Sequence, residues 1–145
     1  MIALIQRVTQ AQVEVAGARV AQIGPGVLAL IGIAREDTAA NGARLLERVL
    51  AYRIFADEQG RMNRSLRECG GGLLLVPQFT LAADTASGTR AGFSRAAAPE
   101  AARALFDALV SAAQAAYPAV YAGVFGAHMA VSLINDGPVT FWLEA

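Results

Sequence analysis

Apolar and polar residues alternate along the first part of the chain, and a period of two residues predicts β-strands. Three such segments follow one another, at residues 2–9, 11–16 and 19–23. The triplet Gly24-Pro25-Gly26 then interrupts the alternation. A continuous apolar run at 27–33 comes next, and such a run is typical of a strand that is buried on both faces. We predict a meander that leads into a central strand.

Two later segments have the residue spacing of amphipathic helices. The first starts after Asp37-Thr38, a common helix-start pair, and extends to about Tyr52. Its apolar positions are Leu45, Leu46, Val49 and Leu50. The second starts at Pro99, which suits the first turn of a helix, and stops before Pro118. Its predicted buried stripe comprises Leu105, Phe106, Leu109, Val110 and Ala113.

The segments around these helices predict loops and further strands. Residues 57–72 are polar and Gly-rich, which favours an exposed loop anchored by Met62 and Leu66, with glycines 70–72 as a flexible hinge. Residues 73–81 indicate a strand in which Pro77 needs an edge position or a bulge. Residues 82–98 show no period and predict a long surface loop. The last strands are expected at 120–124, 130–133 and 139–143.

Strands at both ends of the chain, with two helices between them, indicate one α/β domain that spans residues 1–145. We expect mixed sheets with the helices packed on one side, in β/β/α layers. Hydrophobic residues make up 55% of the chain, yet no apolar stretch reaches about twenty residues, so we expect no membrane span. The first residues lead directly to Gln6 and Arg7 without a signal-peptide pattern, which favours a cytoplasmic protein.

The charges balance, because 12 basic residues, all of them Arg, face 12 acidic ones. A net charge of zero predicts no bulk attraction to nucleic acid, so any contact with RNA must come from local clusters. The candidate clusters are Arg61, Arg64 and Arg67, and Arg90 and Arg95.

Residues 135–140 read Asn-Asp-Gly-Pro-Val-Thr and lie between two predicted strands. On local grounds this composition favours an ordinary turn. Alternatively, Gly137 lets a ligand approach the main chain closely while Pro138 fixes the direction of the Gly137 carbonyl. A cis bond between them would indicate a deliberate feature. The residues themselves leave both interpretations open.

Side chains of the usual hydrolytic types are scarce. Cys69 is the single cysteine, so an intrachain disulfide is excluded, and no neighbouring cation activates its thiol. His128 is the single histidine and has no carboxylate companion nearby in the sequence. A zinc site is therefore improbable, and no phosphate-binding glycine loop is present. Gln78, Phe79 and Thr80 offer an amide, an aromatic face and a hydroxyl, but a threonine nucleophile needs a base.

Several motifs, taken in order, resemble those of the D-aminoacyl-tRNA deacylases, the D-tyrosyl-tRNA deacylase family. They are the opening Ile5-Gln6-Arg7-Val8, Arg61-Met62-Asn63, Gln78-Phe79-Thr80-Leu81, the loop from Asp84-Thr85 to Phe93-Ser94, Phe125-Gly126-Ala127 with Met129, and Asn135-Asp136-Gly137-Pro138-Val139-Thr140. The resemblance covers essentially the whole chain.

The resemblance implies a homodimeric cytoplasmic enzyme without a metal or other cofactor. Its reaction is hydrolysis of the ester that joins a D-amino acid to the 3′-terminal adenosine of tRNA, with glycyl-tRNA as a second substrate. The expected partners are the aminoacyl-tRNA 3′ end and a second copy of the chain, with the active sites at the subunit interface, and neither membrane nor DNA.

The resemblance also implies a role for each motif. A cis Gly137-Pro138 peptide would enter the active site of the other subunit, where its carbonyls read the substrate α-amino group and exclude an L side chain. Gln78, Phe79 and Thr80 would line the catalytic pocket, and Phe125, Gly126 and Met129 would border the adenine. The 2′-hydroxyl of the terminal ribose would assist the reaction, with main-chain N–H groups around the developing oxyanion.

The chain departs from the family pattern at two places. Pro77 stands where the family usually has Ser, and Arg90-Ala91-Gly92-Phe93 stands where it usually has Arg-Pro-Ser-Phe. Two other functions therefore stay open. One is a catalytically weakened dimer that only binds tRNA 3′ ends, and the other is a small-ester hydrolase with Thr80 as its nucleophile.

Overall fold

A single long strand, β1 (Ile2–Val15), organises the sheet. The computed structural model describes residues 1–145. Along its first half β1 pairs antiparallel with β3 (Gly26–Gly32), and along its second half with β2 (Ala18–Ile23). The predicted break between 9 and 11 is wrong. Register shifts around Val8 change which side of the strand is buried. The alternation of apolar and polar residues is therefore interrupted there, and one bulged strand looks like two strands in the sequence.

The continuous apolar run forms the central strand, as predicted. In β3 the side chains of Val27 and Leu28 point to opposite faces and both are fully buried. Strand β3 pairs in parallel with β6 (Gly72–Pro77), which pairs in parallel with β7 (Val120–Ala122). The path across the sheet is β2-β1-β3-β6-β7.

The two faces of this sheet have separate apolar cores, which confirms the expected layering. A core of 22 buried residues lies on the face that carries the helices. A core of 8 buried residues lies on the other face, where the second half of β1 and β2 fold over β3 and β6. The chain is thus a mixed α/β domain with β/β/α layers. No helix in it is both long and apolar enough to cross a membrane.

Both predicted helices form. Helix α1 (Ala39–Ala51) starts at the N-cap Thr38, whose N–H and hydroxyl donate to the Asn41 side chain at 2.9 and 2.7 Å. A second long helix, residues Pro99–Ala116, packs against α1 and has Pro99 in its first turn. Within its stripe Phe106, Leu109 and Ala113 are buried as expected, whereas Leu105 and Val110 are only partly buried.

The polar stretch 57–72 is more ordered than predicted. It contains β5 (Met62–Arg64), which pairs with β4 (Phe55–Ala56) just before the stretch, and a short helix α2 (Leu66–Cys69). The long helix Pro99–Ala116 is accordingly α3. Leu66 is a buried anchor, but Met62 is 45% exposed and anchors nothing. The glycine hinge is also wrong, because Gly72 belongs to β6 and faces Gly26 so closely that a Cβ on Gly26 would overlap its carbonyl oxygen.

Pro77 is the last residue of β6 and lies beyond Leu73–Leu75, the residues that pair with β7, so on the side away from β3 it has the edge position that the sequence predicted. Along β6 the N–H groups alternate in direction. That of Gln78 donates to Ile31 of β3, and that of Leu73 donates to Ala119 beside β7. An N–H at position 77 would point past the end of β7, so the proline removes no ladder hydrogen bond.

The last two predicted strands are one. Strand β8 (Met129–Glu144) follows β1 along its whole length, so residues 135–140 do not form a hairpin turn. Both halves of β8 pair with β1, and residues 135–140 interrupt that pairing.

Candidate active site

A cavity of about 460 Å³ opens where β6 and β7 end and β8 begins. It brings together side chains from motifs that lie some fifty positions apart in the sequence. Five of the eight predicted site residues line it: Gln78, Phe79, Phe125, Gly126 and Met129. Parallel strands expose their carboxyl ends at one edge of a sheet, which is a common position for a ligand site.

Gln78 and Phe79 reach the cavity on a tight turn that follows Pro77. Residues Phe79–Ala82 form one turn of 3₁₀ helix, with the Ala83 N–H donating to the Thr80 carbonyl at 3.1 Å. The first N–H groups of such a turn, those of Phe79 and Thr80, have no partner inside it. They are therefore available to a polar group of a ligand.

Thr80, which was predicted to line the same pocket, is not among the residues of this cavity. It lines a neighbouring cavity of about 310 Å³ together with Arg95 and Trp142. The amide of Gln78 donates to its hydroxyl at 2.5 Å, and no histidine or carboxylate accepts a hydrogen bond from that hydroxyl. Nothing in this arrangement activates Thr80 as a nucleophile.

Beyond Ala82, which ends the 3₁₀ turn, the loop 82–98 has no helix or strand, as predicted, and it borders the site. Its ends are held by a pair of main-chain hydrogen bonds between Asp84 and Gly92, at 2.8 and 2.9 Å, and by one from the Ala97 N–H to Ile33. Directly after Gly92, the ring of Phe93 lies 5.1 Å from that of Phe79, centroid to centroid. Ala97, together with Pro99 and Ala102 of α3, completes one wall of the cavity.

Arg103 supports the opposite wall, a role that the sequence did not reveal. Its guanidinium donates to the Phe125 carbonyl at 3.2 Å and lies 4.9 Å from the centre of the Phe125 ring. Phe106 packs under the same ring at 6.2 Å. Arg103 has no distinguishing neighbour in the sequence, since it lies on the exposed face of an amphipathic helix.

His128 also lines the cavity. It is exposed, and no aspartate or glutamate lines the cavity beside it. Cys69 is an exposed free thiol at the end of α2 and does not line the cavity.

Gly137 and Pro138 do not line this cavity. In the β1–β8 pairing Val8 faces Asn135 and Gln6 faces Thr140. The four residues of β8 between these pairs, 136–139, are opposed by Arg7 alone, so they bulge outward. The Gly137-Pro138 bond is cis, as the resemblance implied. Gly137 has a φ of +144°, and a Cβ there would lie 2.6 Å from the Val139 side chain, so only glycine fits.

Asn135 closes this bulge with its own side chain. Its Oδ1 accepts from the Val139 N–H at 2.6 Å, and its Nδ2 donates to the Thr140 hydroxyl at 3.0 Å. Arg7 holds the other side, donating from Nε to the Asp136 carbonyl at 3.0 Å and from a terminal nitrogen to the Ile54 carbonyl at 2.9 Å. We call residues 135–140 the Gly-Pro bulge.

The cavity and the Gly-Pro bulge lie at opposite ends of β3. Arg7 pairs with Val27 near the start of β3, whereas Pro77 pairs with Ile31 near its end. Four residues of strand separate these points by about 13 Å, and β1 stands between β3 and the bulge. Within one chain, therefore, the predicted residues of the cavity lie apart from Gly137 and Pro138.

Comparisons with known proteins agree with the motifs. A family model described as D-Tyr-tRNA(Tyr) deacylase matches residues 4–144. A D-aminoacyl-tRNA deacylase of Thioalkalivibrio sulfidiphilus is 67% identical over 144 residues, covering 99% of this chain and 97% of the relative. One from Azotobacter vinelandii is 61% identical over 145 residues, covering all of both chains.

Solved structures share the fold. A structure described as a c-Myc DNA unwinding element binding protein superposes with a TM-score of 0.96 at 35% identity, covering 100% of this chain and 99% of that one. A probable eukaryotic D-amino acid tRNA deacylase superposes with a TM-score of 0.88 at 19% identity, covering 99% and 98%, and shows the likeness of fold alone.

The family model covers nearly the whole chain, and curated relatives match it from end to end at high identity. The predictions of an α/β domain, of a hydrolase and of this particular family are confirmed. The chain belongs to the D-aminoacyl-tRNA deacylase family.

Proposed function

We propose that this protein hydrolyses the ester bond of D-aminoacyl-tRNA and releases the free D-amino acid and tRNA. One observation carries the proposal: Gln78 and Phe79 meet Phe125, Gly126 and Met129 in a single cavity. The terminal adenosine enters this cavity, with its base against Phe125, Gly126 and Met129 and its ester against the turn at Gln78 and Phe79. Aminoacyl-tRNA is a cytoplasmic substrate, so the enzyme acts in the cytoplasm.

The chemistry relies on the substrate and on main-chain groups, because no carboxylate lines the cavity and the Thr80 hydroxyl has no base. A water molecule attacks the ester carbonyl carbon, and the bond from that carbon to the ribose 3′ oxygen breaks. The neighbouring 2′-hydroxyl passes its proton to the leaving 3′ oxygen and takes up the proton that the attacking water loses, so the ribose ends with both hydroxyls and the amino acid is free. The N–H groups of Phe79 and Thr80 stabilise the oxyanion that forms in between.

Chirality is read by the Gly-Pro bulge of a second copy of the chain. The bulge is rigid, because Asn135 and Arg7 hold it from two sides, and it projects from the sheet. Carbonyls of Gly137 and Pro138 would accept from the substrate ammonium group and occupy the space of an L side chain. Glycine has no side chain to reject, so glycyl-tRNA is a second substrate.

A homodimer follows from the division of the site. The cavity and the bulge of one chain lie too far apart to act on one ester, so each active site combines the cavity of one copy with the bulge of the other. The surface between them carries exposed apolar side chains, among them Trp142, which is 49% exposed on β8. Strand β8 pairs only with β1 and leaves its other edge open.

The decisive assay compares D-aminoacyl-tRNA with its L counterpart and with glycyl-tRNA. We expect release of the D-amino acid and of glycine and little release of the L-amino acid. Equal kcat/KM for D and L substrates would refute the chiral filter. A D-aminoacyl-tRNA that ends in 2′-deoxyadenosine tests the assistance by the substrate, and an undiminished rate on it would refute that step.

Mixing two inactive variants tests the shared site. Phe79→Ala damages the cavity and Gly137→Val damages the bulge, so each homodimer has no intact site. Random reassociation of equal amounts makes half of the dimers mixed, each with one intact site, and restores about a quarter of wild-type activity. Absence of any recovery, with mixed dimers shown to form, would place both motifs in the same subunit's site.

A further inference from the structure

The rings of Phe79 and Phe93 form an aromatic pair on the surface, at the rim of the cavity. Their centroids are 5.1 Å apart with 45° between the planes. Phe79 is 59% exposed and Phe93 is 45% exposed, although side chains of this size usually bury most of their surface. Phe79 lines the cavity, so the pair is continuous with the site and extends it outward.

The loop that carries Phe93 also carries a positive charge without an ion-pair partner. Arg90 is exposed, lies three residues before Phe93 and makes no salt bridge, whereas Arg95 lines the neighbouring cavity together with Glu144. The one carboxylate of the loop, Asp84, accepts a hydrogen bond from the Ala86 N–H at its base. An exposed aromatic face near a free arginine is the combination that binds single-stranded nucleic acid, through base stacking and phosphate attraction.

The opposite rim of the cavity is less suited to RNA. There Arg103 is engaged with Phe125, and the groove beside it is lined by Glu100 and Asp107. The two carboxylates outnumber the single arginine on this rim, so its net negative charge repels phosphate. A polynucleotide whose last base occupies the cavity therefore leaves it over the Phe93 side.

We infer that the Phe79–Phe93 pair is a stacking site for the nucleotide that precedes the terminal adenosine, with the charge of Arg90, on the same loop, attracting its phosphates. This inference rests on the proposed function and adds a second point of contact with the RNA. The exposed ring of Phe93 stacks on the base, and the loop positions the ring.

Two substrates separate this contact from the chemistry. One is D-aminoacyl-tRNA, and the other is a D-aminoacyl ester of adenosine, which lacks the preceding nucleotide. Removing the aromatic ring in Phe93→Leu should lower kcat/KM on the tRNA about 5- to 150-fold more than on the adenosine ester, the range for loss of one stacked base. Phe93→Tyr keeps an aromatic ring and should restore the tRNA value to within about threefold of wild type.

The matched control is Tyr121→Leu, which removes an equally exposed aromatic ring that does not line the cavity. It should affect both substrates alike. Equal losses on both substrates in Phe93→Leu would show that Phe93 only supports Phe79, and would overturn the inference. A monomeric Phe93→Leu protein in sedimentation would overturn it too, because the pair would then be a subunit contact.

Binding of uncharged tRNA tests the inference apart from catalysis. Uncharged tRNA has no ester, and Phe93→Leu should weaken its binding by the same factor as it lowers kcat/KM on tRNA. Unchanged affinity would overturn the stacking site even if the enzyme is active. Loss of affinity in a protein that turns over neither substrate would keep the stacking site and refute the proposed function instead.

Discussion

The Nε of Arg7 donates to the main-chain carbonyl of Asp136 at 3.0 Å, and the Asp136 carboxylate lies 3.3 Å from the same nitrogen. A charged side chain on β1 thus holds the main chain of the Gly-Pro bulge on β8. It does so from a largely covered position, since only 15% of the Arg7 side chain is exposed. The same guanidinium also donates to Ile54, which ties the bulge to the segment after α1.

Replacing Arg7 should therefore impair chiral selection. Arg7→Lys keeps the charge but loses the planar fork that reaches two carbonyls at once. We expect the ratio of kcat/KM for D over L substrates to fall about tenfold or more, since small displacements of a positioning group are costly. Arg19→Lys, on the exposed face of β2, is the control. An unchanged D/L ratio in Arg7→Lys would contradict this role.

Thr80 should prove dispensable as a hydroxyl. Thr80→Val keeps the shape and the main-chain N–H but removes the oxygen that accepts from Gln78. Because no base activates that oxygen, we expect kcat to fall by less than about tenfold, well short of the loss of a nucleophile. Single-turnover rates on D-aminoacyl-tRNA measure this. A fall of about 10⁴-fold with unaltered binding would favour the small-ester hydrolase with a Thr80 nucleophile.

Pro77→Ser tests whether the departure at this position has weakened the enzyme. The proline removes no ladder hydrogen bond, so we expect the wild-type protein to be active. Serine adds one hydroxyl at the cavity wall, and one hydrogen bond changes kcat/KM by about tenfold at most. An inactive wild type that binds tRNA, together with an active Pro77→Ser protein, would establish the weakened binding dimer instead.

Because β3 and β6 approach each other closely at Gly26, we expect one added methyl group there to lower the stability of the fold strongly. In Gly26→Ala the added Cβ would overlap the main chain of Gly72, and neither strand can move without disturbing the central sheet. We expect the free energy of unfolding to fall by about 3 kcal/mol or more. Gly24→Ala is the matched control, because a Cβ there meets nothing within 4 Å. Similar unfolding curves for the two variants in urea would refute the packing argument.

The capping box of α2 predicts a pH-dependent contribution from Glu68. Hydrogen bonds from the Ser65 hydroxyl and N–H, both at 2.6 Å, lower the pKa of Glu68 below its ordinary value of 4.5. A lowered pKa in the folded state stabilises the fold at pH values above 4.5. This stabilisation is lost as the pH falls through the folded-state pKa of Glu68.

The difference in unfolding free energy between the wild type and Glu68→Gln should therefore shrink when urea unfolding is repeated at decreasing pH below 4.5. Glu58→Gln, in the neighbouring turn and outside the capping box, serves as the control. A wild-type advantage that stays constant from neutral to acid pH would contradict the assignment.

Periodicity predicted most elements, because it reports which side of an element is buried. The central strand and both long helices follow directly from it, and Pro99 and Thr38 mark helix starts as expected. Periodicity failed where the buried face switches from one side of an element to the other. The bulges in β1 and the Gly-Pro bulge in β8 both break the alternation without ending the strand.

The sequence by itself determined the family, since its motifs are local strings of residues in a set order, and it identified five of the residues that line the cavity. It did not show that Gly137 and Pro138 lie apart from that cavity, or that Arg7 and Arg103 hold the two groups in place. Those facts depend on strand register and on contacts between residues over twenty positions apart. Only the tertiary structure decides such contacts, because long-range packing leaves no local pattern in the chain.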